Sequence, residues 1–202
     1  MPSALNLLTA CNALSKNIAT RRCLPSGGLK ARCWVFQNSD FTGANTFNAN
    51  GSLSSFGLRP DAVAITCTGR PKKSKGDNKL TKAEDGALTV EQALGLEVAY
   101  GTQHELDAII EFLRADNKTV FVETNAGTIR QYFAEYGDGS MEGTEGTGLL
   151  VGDATNVVAV TLKGTESTLP RFFEAAFVAP KTQLAASRDY LDALVTGAEV
   201  VD

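Results

Sequence analysis

The chain has 202 residues, 43% of them apolar, and a formal net charge of −4 at pH 7. Its length and apolar content suffice for one domain with a sizeable core, which excludes disorder throughout. The acidic balance excludes binding of nucleic acid by the surface as a whole, so any such contact must be local. No run of 18 apolar residues occurs and the first 17 residues lack the pattern of a signal peptide. We therefore expect a soluble protein made in the cytoplasm, without a membrane partner.

The N-terminal part of the chain is predicted to be an arm that leads into a strand. Residues 1–24 mix leucine with Asn, Ser and Thr, which suits an arm or a weak helix. After a turn at 25–28, apolar residues alternate along 29–36, and this alternation predicts the first core strand. Trp34 and Phe36 have the opposite parity to the predicted core-facing residues, so the strand has a second, aromatic face.

The next segment is predicted to contain short strands and a long exposed loop. Residues 37–60 are rich in Asn, Ser and Gly but contain three phenylalanines, which favours short strands joined by turns. Residues 62–68 are predicted to form another strand. Residues 70–82 contain six Lys or Arg against one Asp, a composition that is typical of a solvated loop.

The middle of the chain contains the clearest local signal. A T-x-x-E capping box at 102–105 opens a predicted helix near 103–115, whose apolar residues repeat at i, i+3, i+4 and i+7. A strand at 94–100 precedes the helix, and strands at 120–123 and 128–134 follow it around an Asn-Ala-Gly turn.

The last part begins with a glycine-rich segment. Residues 137–148 contain five glycines and the acids Asp138, Glu142 and Glu145, and they are predicted to form a flexible loop. This segment is not a phosphate-binding loop, because strands are predicted on both sides and its acids would repel phosphate. Strands are predicted at 157–163 and 172–178, and a helix in the tail at 181–194.

These elements predict a mainly β (α+β) fold, an antiparallel β-sandwich or barrel with one flanking α-helix and extended N- and C-terminal arms. The predicted boundaries are an N-terminal arm at 1–24, the domain at 25–180 and a C-terminal helical tail at 181–202. The aromatic face of the first strand then needs a cover, which a neighbouring molecule, the helix or the other arm could supply.

No catalytic, cofactor or metal site is predicted. The four cysteines, Cys11, Cys23, Cys33 and Cys67, have no close C-x2-C spacing, so buried reduced thiols are favoured over a zinc site or a disulfide. The single histidine, His104, lies in the first turn of the predicted helix, where an exposed surface position is favoured over a catalytic triad. A hydrolase with a metal centre made by the cysteines is the least favoured alternative.

Two oppositely charged segments indicate self-association. The candidate contacts are the basic Lys72, Lys73 and Lys75, the acidic Asp138, Glu142 and Glu145, and the aromatic Trp34 and Phe36. A contact between unlike segments of two copies is heterologous, and such contacts build rings or helical stacks. A solvated loop without a partner is the competing interpretation of the basic segment.

Three segments together resemble a known class of proteins. An aromatic-containing strand follows S-G-G-L at 26–36, a strand, helix and hairpin lie at 96–132, and a glycine-rich turn leads into a strand ending in K-G-T-E at 148–167. This order resembles tail-tube-like structural proteins of tailed bacteriophages, in particular those of Bacteroidetes-type hosts. The resemblance implies no enzymatic activity.

The resemblance also implies an assembly. It implies two packed sheets with a flanking helix, joined edge to edge in hexameric rings that stack into a tube for the passage of DNA. A virion tail location, contacts with other virion proteins and synthesis in the host cytoplasm follow from it. Another phage structural protein, of a neck, ring or head, and a monomeric β-sandwich binding module are the alternatives.

Overall fold

A computed structural model describes residues 28–195, apart from positions 63, 69–73, 83, 85–87, 116, 138–139, 148–155 and 178. The described part is mainly β structure with two α-helices, which confirms the predicted mainly β, α+β class. The first helix is the predicted flanking helix, and the second lies in the predicted C-terminal helical tail.

Eleven strands lie in the described residues. In chain order they are β1 (Leu29–Gln37), β2 (Thr46–Phe47), β3 (Leu53–Ser55), β4 (Ala64–Thr68), β5 (Lys75–Lys82), β6 (Leu88–Ala99), β7 (Lys118–Thr124), β8 (Ile129–Tyr132), β9 (Ser140–Thr147), β10 (Asn156–Glu166) and β11 (Arg171–Phe173). The α-helices are α1 (Gln103–Arg114) and α2 (Gln183–Ala193), and a short 3-10 helix spans Asn38–Asp40.

The strands form two sheets. The larger has seven strands in the order β2-β3-β11-β8-β7-β1-β4, and the smaller has four in the order β5-β6-β10-β9. The strand pairs are antiparallel except for β11 with β3, which is parallel. Four of the ten connections between successive described strands join hydrogen-bonded neighbours, namely β2 with β3, β5 with β6, β7 with β8 and β9 with β10, and the other connections cross between strands or sheets.

A first core fills the space between the two sheets. Buried residues of β1, β7 and β8 face buried residues of β6 and β10, and α1 adds Ile109 and Phe112 at one side. Helix α1 begins as predicted, because the Thr102 hydroxyl accepts from the Glu105 N–H while the Glu105 carboxylate accepts from the Thr102 N–H. The amphipathic pattern of α1 therefore matches the flat surface on which it packs.

A second core covers the other face of the seven-stranded sheet, beneath α2. It is rich in aromatic rings that stack or meet edge to edge, with centroid separations of 5.0–5.9 Å. The buried members are Trp34, Phe36, Leu53, Phe56, Ala64, Phe121, Ile129, Phe173, Ala175 and Leu191. The molecule thus has three layers, with the seven-stranded sheet in the middle.

Two predictions of loops were wrong. Within the basic segment 70–82, residues 75–82 form β5, and within the glycine-rich segment 137–148, residues 140–147 form β9. Both segments have low intrinsic β-propensity, but each hydrogen-bonds along a long neighbouring strand, and such tertiary context overrides propensity in sheets.

The predicted strand at 172–178 was wrong in its extent, since β11 ends at Phe173. Beyond it, the Ala175 N–H donates to Ser187 Oγ, and the Ala175 carbonyl accepts from the Gln183 side chain. Side chains of α2 therefore satisfy this backbone in place of a neighbouring strand. The predicted C-terminal helix is confirmed at 183–193.

Candidate assembly interface

The four-stranded sheet has long edges on both sides. β5 pairs with β6 through eight residues, and β9 pairs with β10 through eight residues. In the part of the chain that the structure describes, no strand pairs with the outer side of β5 or of β9. Each edge therefore presents a row of backbone N–H and C=O groups to which another strand can add.

The two edges differ in the charge of their residues. β5 has the sequence KGDNKLTK, with three lysines and one aspartate, and Lys75, Lys79 and Lys82 are exposed. β9 has the sequence SMEGTEGT, with two glutamates and no basic residue. One edge is basic and the other is acidic.

The predicted contact residues lie on these edges. Lys75 is the first residue of β5, and Glu142 and Glu145 lie on β9, opposite Thr161 and Val158 of β10. Because β6 and β10 separate the edges, β5 and β9 are about 14 Å apart in one molecule, from three strand spacings. Their pairing therefore requires two molecules. The remaining candidates, Lys72, Lys73 and Asp138, lie outside the described residues.

The outer face of the four-stranded sheet, which points away from the seven-stranded sheet, is polar. Between its charged groups it presents mainly small residues of β6 and β10, such as Thr89, Ala93, Ala159 and Thr161. In β5, β6 and β10 the charged residues with this outward parity are three cations and three anions: Lys75, Asp77, Lys79, Glu91, Glu97 and Lys163. Lys79 pairs with Glu91 at 3.3 Å and Lys75 with Asp77 at 3.8 Å. This face of the three strands is balanced in charge.

The aromatic face of β1 is covered within the molecule. Trp34 and Phe36 are 0% and 1% exposed, so the prediction that they contact a neighbouring molecule was wrong. Of the three possible covers, the C-terminal helix is the one observed: the Trp34 Nε1–H donates to Asp192 at 2.7 Å, at the end of α2. Arg32 also donates to Asp192 and lies 5.0 Å from the Trp34 ring centroid.

An ion pair fastens the middle of α2 to the large sheet. Arg188 donates from Nε and Nη2 to the two carboxylate oxygens of Glu123 at 2.8 and 2.6 Å, and Lys30 pairs with the same carboxylate. Burial raises the pKa of Glu123, but the bonds from Arg188 and Lys30 outweigh burial, so its pKa lies below the ordinary value. The bond to Glu123 in turn raises the pKa of Arg188.

A second buried carboxylate, that of Glu166, lies at one end of the four-stranded sheet. Glu166, at the end of β10, accepts from the backbone N–H groups of Glu135 and Tyr136 at 2.8 and 3.2 Å. Burial raises the pKa of Glu166 above its ordinary value despite these bonds. The Glu166 carboxylate thus satisfies backbone N–H groups of the segment that follows β8.

The described cysteines face each other on neighbouring strands. Cys33 of β1 lies directly opposite Cys67 of β4, and its thiol donates to the Cys67 carbonyl at 3.2 Å. The hydrogen bond to the Cys67 side chain, together with burial, raises the pKa of Cys33, and the same bond lowers the pKa of Cys67. Cys11 and Cys23 lie outside the described residues, so the structure describes only two of the four cysteines of the zinc alternative.

His104 lies exposed in the first turn of α1, which confirms its predicted surface position. Over the described ranges, no group of three or more His, Cys, Asp and Glu side chains is arranged to hold a metal ion. No described helix is long and apolar enough to span a membrane. Comparison of the chain with family models, with curated proteins and with solved structures finds no match.

Sequence patterns missed a partly exposed pair on the seven-stranded sheet. The Arg130 guanidinium lies 4.2 Å from the ring centroid of Phe172, which is 41% exposed, and the two residues are cross-strand partners on β8 and β11. No local signal identifies this pair, because the pairing of β11 with β8 joins Phe172 to Arg130, which precedes it by 42 residues.

Proposed function

We propose that this chain is a non-enzymatic virion structural protein, the subunit of a phage tail tube, which assembles into stacked hexameric rings that conduct DNA. One observation carries the proposal. The four-stranded sheet ends in two eight-residue edge strands of opposite charge, which complement each other between molecules and not within one. The resemblance of 26–36, 96–132 and 148–167 to tail-tube-like proteins supports the same assignment.

Edge pairing of this kind produces a ring. If β5 of one subunit pairs with β9 of the next, each contact is heterologous and a constant rotation closes the set. Six four-stranded sheets form a barrel of 24 strands. At about 4.8 Å per strand its circumference is about 115 Å and its diameter about 37 Å, which strand tilt widens. A lumen of this width admits a DNA duplex.

The outer face of the four-stranded sheet suits the wall of such a lumen. Its outward-facing cations and anions on β5, β6 and β10 are equal in number, β9 adds the outward position of Glu142, and most of its other residues are small, so the face is not basic. A strongly basic wall would bind phosphate groups and retard the passage of DNA, whereas a balanced wall does not. In this arrangement the seven-stranded sheet and α2 form the outside of the tube, where other virion proteins can bind.

Charge reversal on one edge tests the proposal. The variant Lys75→Glu/Lys79→Glu should raise the protein concentration needed for assembly, and Glu142→Lys/Glu145→Lys should do the same. Combining all four changes should restore assembly, because the complementarity returns with reversed sign. Sedimentation velocity measures ring formation, and negative-stain electron microscopy shows the rings and their stacks.

The matched control is Arg59→Glu/Lys181→Glu, which makes the same change in net charge at exposed positions away from both edges. It should assemble as the wild type does. Wild-type protein that stays monomeric at all concentrations, with no tube or ring in the parent particle, would refute the proposal. Single rings without stacks would indicate a neck, ring or head-associated protein.

One feature favours the second candidate, a monomeric binding module. A groove of about 780 Å³ lies between β3, α2 and the segment joining β11 to α2, and its lining includes Phe177, Pro180 and Tyr190. Phe177 is half exposed there. A monomeric wild type that captures a partner through this groove, with binding lost in Phe177→Ser, would favour this candidate over the tube subunit.

A further inference from the structure

The partly exposed pair on the large sheet, Arg130 with Phe172, lies near β5, an edge strand of the four-stranded sheet. Contacts between the end of β8 and the four-stranded sheet locate the pair. Phe133, just after β8, contacts Gly164 of β10 and donates its N–H to Gln92 of β6 at 2.9 Å. One residue earlier, the Tyr132 hydroxyl contacts Gly76 of β5.

Arg130 is the preceding residue on the same face of β8 as Tyr132, because side chains alternate along a strand. Arg130 therefore lies about 6.6 Å along β8 from Tyr132, near β5, and it is only partly buried, so the four-stranded sheet does not cover it completely. Its cross-strand partner Phe172 lies on the next strand of the large sheet, β11, and is 41% exposed. The two side chains thus form a ledge on the large sheet, next to the edge at which the proposed function places the neighbouring subunit.

Helix α1 lies beneath the opposite edge. Gly143 of β9 pairs with Val160 of β10, whose side chain is buried in the first core, so its position faces the large sheet. A Cβ atom at Gly143 would lie 3.0 Å from Leu113 Cδ1 of α1. Helix α1 is therefore on the same side of the four-stranded sheet as the ledge.

The exposed side of α1 carries three acids, Glu105, Asp107 and Glu111, and one arginine, Arg114. Asp107 and Glu111 are exposed and four residues apart, so they follow one stripe of the helix. Glu105 also lies on the exposed side, but its carboxylate is bound to the backbone N–H groups of Gly101 and Thr102. Asp107 accepts one hydrogen bond from the Gln103 side chain at 2.9 Å, and Asp107 and Glu111 are the exposed acids that a cation outside the molecule can approach.

We propose that the ledge of Arg130 and Phe172 receives α1 of a second copy of this chain, with Arg130 facing the stripe of Asp107 and Glu111. The contact rests on the proposed function, since pairing of β9 with β5 of the next subunit brings the attached α1 to the large-sheet side. The two acids of α1 are opposite in charge to Arg130, and the ring of Phe172 provides an apolar surface on which the helix can pack. Adjacent subunits are then joined twice, by pairing of β9 with β5 and by packing of α1 against the neighbouring large sheet.

A charge swap tests this contact. Arg130→Glu and Glu111→Lys each place like charges together, and each should raise the concentration for half-maximal assembly at least about tenfold. The double variant Arg130→Glu/Glu111→Lys should return to within about threefold of the wild type. Sedimentation velocity gives the assembly, and circular dichroism with thermal unfolding shows that each variant is folded.

Arg59→Glu, at a remote exposed arginine, is the control and should leave assembly unchanged. Rings that form normally from both single variants would overturn this contact while leaving the proposed function intact. Impaired single variants with no recovery in the double variant would also overturn it, because the residues would not face each other. If Arg130→Glu unfolds, Glu111→Lys still tests the contact, since Glu111 is exposed on the helix. A wild type that never assembles would refute both proposals.

Discussion

Removing Arg188 should show how firmly α2 is held on the large sheet. In Arg188→Met the Glu123 carboxylate, whose side chain is 3% exposed, loses both hydrogen bonds from the guanidinium and keeps only Lys30. Breaking a buried ion pair by removing one partner costs about 3–5 kcal/mol. Here Lys30 remains, and the Arg188 side chain is 36% exposed, so solvent screens part of the interaction. We expect a loss of about 2 kcal/mol, which in a chain of this size lowers Tm by about 4–8 °C.

Urea unfolding followed by tryptophan fluorescence measures this loss directly. Trp34 is the single tryptophan of the chain, and its indole is bonded to Asp192 of α2, so its emission reports on the docking of the helix. The matched control is Lys181→Met, which removes an exposed ion pair with Asp189 next to the same helix. That change should cost less than about 0.5 kcal/mol, since exposed pairs contribute little.

The difference between wild type and Arg188→Met should depend on pH. The pKa of Glu123 lies below its ordinary value in the folded wild type, so its contribution is fully present above the unfolded-state pKa and is lost as the pH falls through the folded-state pKa. Without Arg188, the pKa is less depressed and this acid loss is smaller. The two proteins should therefore converge as the pH falls below about 4. A loss under about 0.5 kcal/mol at pH 7, or one that is the same at pH 7 and in acid, would refute the reasoning.

Two further predictions concern packing and thiol access. Gly164→Ala places a Cβ 2.7 Å from a backbone carbonyl oxygen and 2.8 Å from an aromatic carbon, so it should destabilise by about 1–3 kcal/mol in urea unfolding. Gly95→Ala in the same sheet meets only a flexible lysine chain at 3.3 Å and should change stability by less than about 0.5 kcal/mol; equal effects would contradict the packing argument. In native protein at pH 8, iodoacetamide should modify Cys67 before Cys33, which is 0% exposed. Peptide mapping by mass spectrometry would reveal the opposite order if this is wrong.

The elements that could be predicted are those whose signal is local. The capping box of α1 and its apolar repeat define a helix without reference to the rest of the chain. The runs that form β1 and β7 are likewise apolar enough to predict buried strands. Where the strand signal was weak, as in β11, the predicted end was wrong because side chains of α2 bond the following backbone.

The elements that could not be predicted depend on distant partners. β5 contains Lys, Asp, Asn and Gly, and β9 contains Glu, Ser and Gly, compositions that are typical of loops, so both form strands only through β6 and β10. The cover of Trp34 could not be chosen from the sequence, because Asp192 lies 158 residues away and α2 has a weak amphipathic pattern. In both cases the sequence draws attention to the right residues, but it does not show which distant segment pairs with them or packs on them.

The edge strands of the two sheets differ in length. The seven-stranded sheet ends in β2, of two residues, and β4, of five, and short edge strands limit unwanted pairing. The four-stranded sheet ends in two strands of eight residues each. Lysines on an edge strand are also a known means of preventing pairing, so the lysines of β5 have two opposite explanations: protection of a monomer, or attraction to β9 of a neighbour.

Neutralising the lysines of β5 separates these explanations. The variant Lys75→Gln/Lys79→Gln/Lys82→Gln keeps the strand polar but removes its positive charge. If the lysines attract β9 of a neighbour, assembly of the variant should need a higher protein concentration, and its dependence on salt should fall, since fewer charge pairs are screened. If the lysines protect the edge, the same variant should associate more readily than the wild type. Sedimentation velocity at low and high salt distinguishes the two, and increased association would contradict the proposed ring.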